Sequence, residues 1–269
     1  TDISPQKIKT KMSKKFYITT PLYYVNASPH IGHSYTQVAC DCISRYKRMK
    51  GYEVFFLTGT DEHGQKVFKT AQEQGKDTKE FVDEIASRFK ETWKLLDISY
   101  DDFIRTTEER HKRVVQQILQ ILYNKGDIYR HEYKGYYCTP CETFWTKLQA
   151  KDKICPDCKR PLEDIAEENF FFKLSKYQDW LIDYINKNTD FIQPDFRKNE
   201  VLGYLKEPLS DLCISRPKER LRWGIDIPFA PGHVTYVWLD ALINYISAAG
   251  IFYDESRFKK LWPADFHII

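Results

Sequence analysis

The stretch Phe16-Tyr-Ile-Thr-Thr-Pro-Leu-Tyr-Tyr-Val-Asn-Ala-Ser-Pro-His30-Ile-Gly-His33 constrains this chain more than any other. It opens on a short, β-prone apolar run, Phe16 to Thr19. Pro21 breaks the run, and an irregular Asn/Ser/Pro segment follows to Pro29. Beyond His33, apolar residues recur at Val38, Ala39, Cys42, Ile43, Tyr46 and Met49, the three-and-four spacing of an amphipathic helix. The order is strand, loop, helix, with two imidazoles at the helix entrance. A helix N-terminus offers free N–H groups and partial positive charge, which together suit phosphate. Gly32 lets a ligand approach the backbone, and His30 and His33, three apart, share one face.

Neither G-x-G-x-x-G nor G-x-x-x-x-G-K-[ST] occurs in the chain. The element therefore points to a nucleoside triphosphate rather than a dinucleotide. A histidine pair replaces glycine amides and a lysine, and can donate hydrogen bonds to charge that builds up in a phosphoryl-type transition state. Taken by itself, the tetrapeptide fits equally well two surface histidines or half of a metal site.

Downstream, Gly51 follows Lys47, Arg48 and Lys50 as a helix stop. Val54-Phe-Phe-Leu57 is a second, continuous apolar strand of the kind buried in a parallel sheet. Thr58-Gly-Thr-Asp61-Glu-His-Gly64 comes directly after it, which places Asp61 where open α/β sheets hold ligand-binding carboxylates. The alternatives for Asp61 are a cap or loop aspartate. The Asp-Glu-His triplet lacks any recognised metal-ligand spacing. Asp77 to Glu80 reads as a capping box before Phe81, Ile85, Phe89 and Trp93. Phe103-Ile104 reads as a third strand. Thr106 or Thr107 is expected to cap a helix through Val114 and Leu122 to Lys125-Gly126. This alternation over residues 16–126 predicts a doubly wound α/β half-domain.

The character then changes. Cys138-Thr-Pro-Cys141 and Cys155-Pro-Asp-Cys158, separated by 13 residues, have the spacing of a closed tetrahedral zinc site. A knuckle this small is held by its metal rather than by a core. Cys40, Cys42 and Cys213 are expected to be packing thiols. Seven cysteines without a secretory signal point to a reducing compartment. The formal charge of +3 is carried by residues 1–15, with five lysines and one aspartate (+4), leaving −1 for the rest and no general basic field for nucleic acid. No apolar run reaches the roughly 18 residues of a membrane span, so a soluble protein is expected. The lysine-rich, arginine-free leader, read as disordered, makes a mitochondrial location a minor alternative to a cytoplasmic one.

Three stretches together resemble the methionyl-tRNA synthetases, a class I aminoacyl-tRNA synthetase family. They are Pro21-Leu-Tyr-Tyr-Val-Asn26 before His30-Ile-Gly-His33, then Gly59-Thr-Asp-Glu-His-Gly64, then Tyr236-Val-Trp-Leu-Asp-Ala241. The likeness runs from about residue 16 to residue 269. It implies a Rossmann-type catalytic domain that starts at residues 16–126 and resumes, incomplete, at 213–269. Between them, 127–212 would be an inserted connective domain with a zinc knuckle at about 136–162. It implies that His30, Gly32 and His33 bind ATP, the histidines stabilising the adenylation transition state, and that Arg216 lies near the ATP site. Asp61 would pair with the substrate ammonium. Leu22, Tyr24, Trp238, Ala241 and Tyr245 would line the methionine pocket, which suits a polarizable thioether. Magnesium would accompany the ATP phosphates, and the acyl group would pass to tRNA(Met).

Two departures accompany the resemblance. The family's Lys-Met-Ser-Lys-Ser loop is expected after the second catalytic half. Lys11-Met-Ser-Lys-Lys15 resembles it but precedes the first strand, and is rejected. An anticodon-binding domain is also lacking, so the chain is expected to be a fragment, with a second chain as one way to complete it. Relatives often carry proline where Leu242 stands here. The competing readings are another class I synthetase or adenylyltransferase, and a non-catalytic, zinc-bearing RNA-binding or assembly module. Leucine, isoleucine and valine enzymes carry an editing insertion too large for the stretch between Gly126 and Arg216.

Overall fold

The computed structural model describes residues 14–145, 149–150 and 152–269, apart from the side chain of Tyr133. Residues 1–13, with most of the basic leader and the Lys11-Met-Ser segment, lie outside the described residues. In chain order the elements are β1 (Lys15–Thr19), β2 (Tyr23–Tyr24), α1 (Ile31–Met49), β3 (Glu53–Asp61), α2 (Gln65–Glu73), α3 (Thr78–Leu95), β4 (Asp102–Arg105) and α4 (Glu109–Asn124). After these come β5 (Ile128–Cys138), β6 (Thr143–Trp145), β7 (Glu163–Phe172), α5 (Gln178–Lys187), α6 (Asp195–Tyr204), β8 (Leu212–Cys213), β9 (Ser215–Pro217), β10 (Asp226–Ile227), β11 (Ala230–Thr235), α7 (Val237–Ala249), α8 (Glu255–Leu261) and β12 (Phe266–His267). The chain divides into two compact units, one of residues 1–62, 75–114 and 241–269, the other of 63–74 and 115–240.

The first unit is built on a parallel sheet in the order β12-β1-β3-β2, with β4 also pairing with β3. Side chains alternate across a strand, so β1 and β3 each feed two cores. Phe16, Ile18 and Phe56 pack with Cys40 on one face. Tyr17, Phe55 and Leu57 pack with Ile104, Ala248 and Leu261 on the other. Burial on both faces explains the unbroken apolar run of β3, each such side chain contributing about 1.5–3 kcal/mol.

β3 is longer than its apolar core suggests. It continues through Thr58-Gly-Thr to end on Asp61, because Gly59 faces Ile104 in the β4 register at very close range. A Cβ at Gly59 would stand 1.9 Å from the Ile104 carbonyl oxygen. Gly59→Ala is therefore expected to destabilise the first unit by about 3 kcal/mol, seen as a lower thermal midpoint. An unchanged midpoint would contradict this packing.

Helix α1 forms as its pattern predicts, but its most deeply buried face is the polar one, and of the apolar stripe Ile43 packs partly buried against the core. Gln37, Cys40, Asp41 and Ser44 are buried, whereas Ile31, Tyr35, Val38, Tyr46 and Met49 are exposed. The polar face is inside because its hydrogen bonds are met there. Gln37 Oε1 accepts from the Tyr23 hydroxyl (2.9 Å) and from Thr58 Oγ1 (3.1 Å). Asp41 accepts from Ser99, backbone (2.7 Å) and hydroxyl (2.6 Å), and pairs with Arg45. Cys40 is buried as expected; Cys42 is exposed and does not pack.

Nor do Thr106 and Thr107 cap α4. Thr106 Oγ1 accepts from the Glu62 N–H (2.9 Å), and Thr107 donates to the Glu62 carboxylate. A buried acid without donors is costly, and Thr107 helps satisfy this one, while Thr106 takes up the Glu62 backbone N–H. The Asp77 cap of α3 is present, accepting from the Lys79 and Glu80 N–H groups.

The second unit holds two antiparallel sheets. β5 and β7 pair over ten residues, from Ile128↔Phe172 to Tyr137↔Glu163, in the order β6-β5-β7-β8. A smaller sheet runs β10-β11-β9. Residues 213–240 belong to this unit. Among the described residues no helix is long and apolar enough to cross a membrane.

Candidate functional site

The histidine pair forms the entrance of α1. His30, in extended conformation, is the N-cap, and its Nδ1 accepts from the Gly32 N–H at 3.1 Å. His33 Nδ1 accepts in turn from the His30 N–H at 3.3 Å, and the rings stack with centroids 3.7 Å apart. Each imidazole has spent Nδ1 as an acceptor on the backbone. In the neutral form each therefore carries its proton on Nε2, as a donor. Burial, and then the neighbouring His30, lower the His33 pKa, which favours that neutral form. Gly32 lies against the His30 ring, where a Cβ would come within 3.0 Å of Cε1. Two N–H donors beside a helix N-terminus have the chemistry that suits phosphate oxygens.

Asp61 ends β3 opposite Tyr24 of β2, with which it is in register, and the Val25 N–H donates to the Asp61 carbonyl (3.3 Å). The Tyr245 pKa is raised by burial, and the negative charge of Asp61 adds to the rise. Leu22 and Tyr245 each pack against the Tyr17/Phe55/Leu57 core. The first unit thus brings together Leu22, Tyr24, Asp61 and Tyr245, a carboxylate beside aromatic and aliphatic walls. Ala241 lies one turn before Tyr245 on α7. Trp238, half-exposed at 49%, lies in the first turn of the same helix and stacks on Tyr236.

The two residues after Asp61 are committed elsewhere. The Glu62 carboxylate is fully buried and accepts from Arg105 Nε (2.6 Å), Arg105 Nη2 (2.9 Å) and Thr60 Oγ1 (2.6 Å). His63 Nδ1 lies 2.6 Å from Asp240 Oδ2. The Asp-Glu-His triplet is therefore not a metal triad, in keeping with its spacing.

Arg216 is the largest difference from a simple phosphate-binding arginine. It is 1% exposed, and its guanidinium carbon lies 4.0 Å from the ring centroids of both Phe144 and Tyr236 and 5.2 Å from that of Tyr137. Nη1 donates to the Ser215 carbonyl (2.6 Å) and to Cys213 Sγ (3.4 Å), while Nε and Nη2 have no partner among the described residues. Aromatic faces offset part of the desolvation of this cation. Tyr137, Phe144, His63 and Asp240 carry no periodic or spacing signal. Sequence reasoning missed all four in these roles.

The four cysteines of the predicted knuckle converge. Their sulfurs all lie within 4.8 Å of one another, Cys138 with Cys158 at 3.4 Å and Cys141 with Cys155 at 4.0 Å. Four thiolates about 2.3 Å from a tetrahedral zinc stand roughly 3.8 Å apart, so the donor set fits that ion. The same separations are far longer than a disulfide of about 2.05 Å. Each Cys-x2-Cys turn is followed by a residue in the left-handed region, Glu142 (φ 48°) and Lys159 (φ 60°). Burial raises the Cys138 thiol strongly and that of Cys141 to about 11, while the Arg160 backbone N–H is the main cause that brings Cys158 down to about 7. Buried Glu142, next to Cys141, accepts the Lys66 N–H (2.9 Å) at the start of α2, a helix whose Gly64 cap has no side chain to do so.

The family model for class I (M) tRNA synthetases matches residues 16–164 and 162–269. The methionine–tRNA ligase of Caldanaerobacter subterraneus is 54% identical over 259 residues, covering 96% of this chain and 40% of that protein. The Thermotoga maritima methionine–tRNA ligase is 53% identical over 259 residues, covering 95% and 41%. The chain thus spans about two fifths of the length of these relatives. A crystal structure of Mycobacterium tuberculosis methionyl-tRNA synthetase bound by methionyl-adenylate superposes with a TM-score of 0.89 at 40% identity, over 94% of this chain and 51% of that one. The free-state structure of the same enzyme gives 0.79 at 37% identity, over 95% and 49%. With nearly every described residue aligned, the chain belongs to the class I (M) tRNA synthetases, and its α/β sheet is the catalytic fold of that family.

Proposed function

We propose that this chain supplies the amino-acid-activating part of a methionine–tRNA ligase. The observation that carries the reading is the entrance of α1, where His30 and His33 each hold Nδ1 on a backbone N–H and so turn Nε2–H outward. In the first step a methionine carboxylate oxygen attacks the α-phosphorus of ATP. The bond to the β-phosphate bridge breaks, and pyrophosphate leaves with the electron pair. His30 and His33 donate to the oxygens on which charge accumulates, Gly32 admits the phosphates to the backbone, and no protein nucleophile is required. In the second step a terminal ribose hydroxyl of tRNA(Met) attacks the acyl carbon and AMP departs.

Asp61 is read as the partner of the methionine ammonium, with Leu22, Tyr24, Trp238, Ala241 and Tyr245 as walls for the thioether. The methionyl-adenylate in the mycobacterial relative supports this choice of substrate. Arg216, whose Nε and Nη2 have no partner among the described residues, is read as an ATP-side cation. Magnesium would be carried on the ATP phosphates. Cys138, Cys141, Cys155 and Cys158 would hold one zinc, which closes the knuckle and leaves no position for substrate. Residues 127–212 are read as the connective insertion between two parts of the catalytic fold, and the cytoplasm as the compartment.

Methionine-dependent ATP–pyrophosphate exchange tests the reading, first on these 269 residues with intact mass of anything co-purifying, then on the complete polypeptide. Exchange should require methionine, and Asp61→Asn should lower kcat/KM for it by about a hundredfold, since an ammonium loses its charged acceptor. Exchange driven by another amino acid instead would overturn the methionine assignment. Complete inactivity of the full polypeptide would favour a non-catalytic module.

A further inference from the structure

Three consecutive residues, Asp61, Glu62 and His63, point to three different tasks, and the third has no assigned role. The His63 ring is 4% exposed and Asp240 is fully buried, with Nδ1 and Oδ2 2.6 Å apart. A carboxylate only accepts, so Nδ1 carries the proton and His63 donates. The ring also packs on Trp223, with centroids 5.6 Å apart, and the Gly64 N–H donates to the Trp223 carbonyl (3.3 Å). Glu62, in between, is fixed by Arg105, Thr60 and Thr107. The backbone on the C-terminal side of Asp61 is thus tethered at two successive side chains.

Asp240 is also informative for its place on α7. It shares the buried face of that helix with Asn244 and Ser247, and Ser247 Oγ lies 3.0 Å from His111 Nδ1. Its immediate neighbours are Leu239 and Ala241, with Trp238 and Tyr245 within a turn or so. A helix cannot rotate about its axis while a buried carboxylate at its start is held at hydrogen-bond distance. The rotation that seats Asp240 on His63 also sets the direction in which Trp238, two residues earlier in the same turn, projects.

We propose that His63 is a positioning residue for amino-acid binding. Its hydrogen bond to Asp240 fixes the backbone that follows Asp61 and the turn that carries Trp238, and so determines affinity for the amino acid rather than for ATP. The inference rests on the methionine-activation reading above. A buried pair that merely holds the fold together would behave differently on removal. It would lower the melting temperature and leave both Michaelis constants unchanged, or move them together.

The test measures KM for methionine and for ATP in exchange assays on the complete enzyme carrying His63→Leu, His63→Asn or His63→Gln. Asparagine can place its amide N–H where Nδ1 stood, whereas glutamine carries its donor one bond too far. His63→Leu and His63→Gln should raise KM for methionine about ten- to hundredfold, as expected for losing a hydrogen bond to a charged group. KM for ATP should stay within about twofold, and His63→Asn should recover most of the methionine affinity. Should the leucine variant not fold, the asparagine–glutamine pair makes the same comparison with polarity kept. The inference is overturned by an unmoved methionine KM, by equal rises for both substrates, or by asparagine being no better than glutamine. A wild-type enzyme without methionine-dependent exchange would sink the functional reading and this inference together; an active wild type with unmoved variants sinks only the inference.

Discussion

Replacing His33 or His30 with alanine should lower the maximal rate of methionine-dependent exchange by about a hundred- to a thousandfold each, the usual loss for one preorganised donor. The expectation rests on how the donors are held. The His30 N–H fixes the His33 ring through Nδ1, and the Gly32 N–H fixes the His30 ring likewise. Neither ring needs to reorient as charge develops on phosphate. Because the two rings stack and share one chain of contacts, the double variant should lose much less than the product of the single losses.

His30 is also a helix cap, so His30→Ala removes about 1 kcal/mol of stability for reasons unrelated to chemistry. His30→Asn separates the two effects. Asparagine caps well but lacks the Nε2 donor, so this variant should melt like the wild type and still be slow. Rates within threefold of wild type, about 0.65 kcal/mol, would remove the histidines from the mechanism.

A pH dependence accompanies the same geometry. Burial, then His30, hold the His33 pKa below its ordinary 6.5. The folded pKa is depressed, so the associated stability is fully present above 6.5 and is lost as pH falls through the folded value. Protonation would put a hydrogen on Nδ1, opposed to the His30 N–H that now donates to it. Exchange should therefore decline on the acid side of 6.5 with fraying of the first turn of α1.

The second large effect is expected at the knuckle. Structural zinc sites are held by about 10–16 kcal/mol of apparent binding free energy, and most of that is folding free energy of the residues around the metal. Cys155→Ser should reduce zinc content from one per chain to nearly none and release the small cluster of Tyr136, Cys138, Ala150, Cys155 and Leu162. Hydrogen exchange should then rise along residues 136–163. It should rise as well at the Lys66 amide, whose acceptor is the Glu142 carboxylate next to Cys141. Tyr236 should loosen too, since its hydroxyl donates to the Glu142 carbonyl. Unchanged metal content and exchange in this variant would rule out a metal-held knuckle.

Much of this architecture is legible in the residues because local chemistry dictates it. Four cysteines at that spacing have few arrangements other than a tetrahedron, and their sulfurs do converge. The strand, loop and helix from Phe16 to Met49 follow from an apolar run, a proline break and a three-and-four pattern. The buried face of that helix is not legible in the same way, because periodicity reports which residues share a side, not what that side meets. Gln37 and Asp41 point inward because Tyr23, Thr58 and Ser99 supply their hydrogen bonds, and those partners come from elsewhere in the chain.

The sequence by itself determined the parallel-sheet class, the cysteine quartet, the histidine entrance and the acid at Asp61. These depend on residue type, short spacing and strand or helix period, all of which act within a few residues. Only the tertiary structure decided that β3 runs on to Asp61, that Arg216 is enclosed by Tyr137, Phe144 and Tyr236, and that His63 meets Asp240 across 177 positions of chain. Such contacts depend on close approach between distant segments. Nothing in the local pattern of either partner encodes the other.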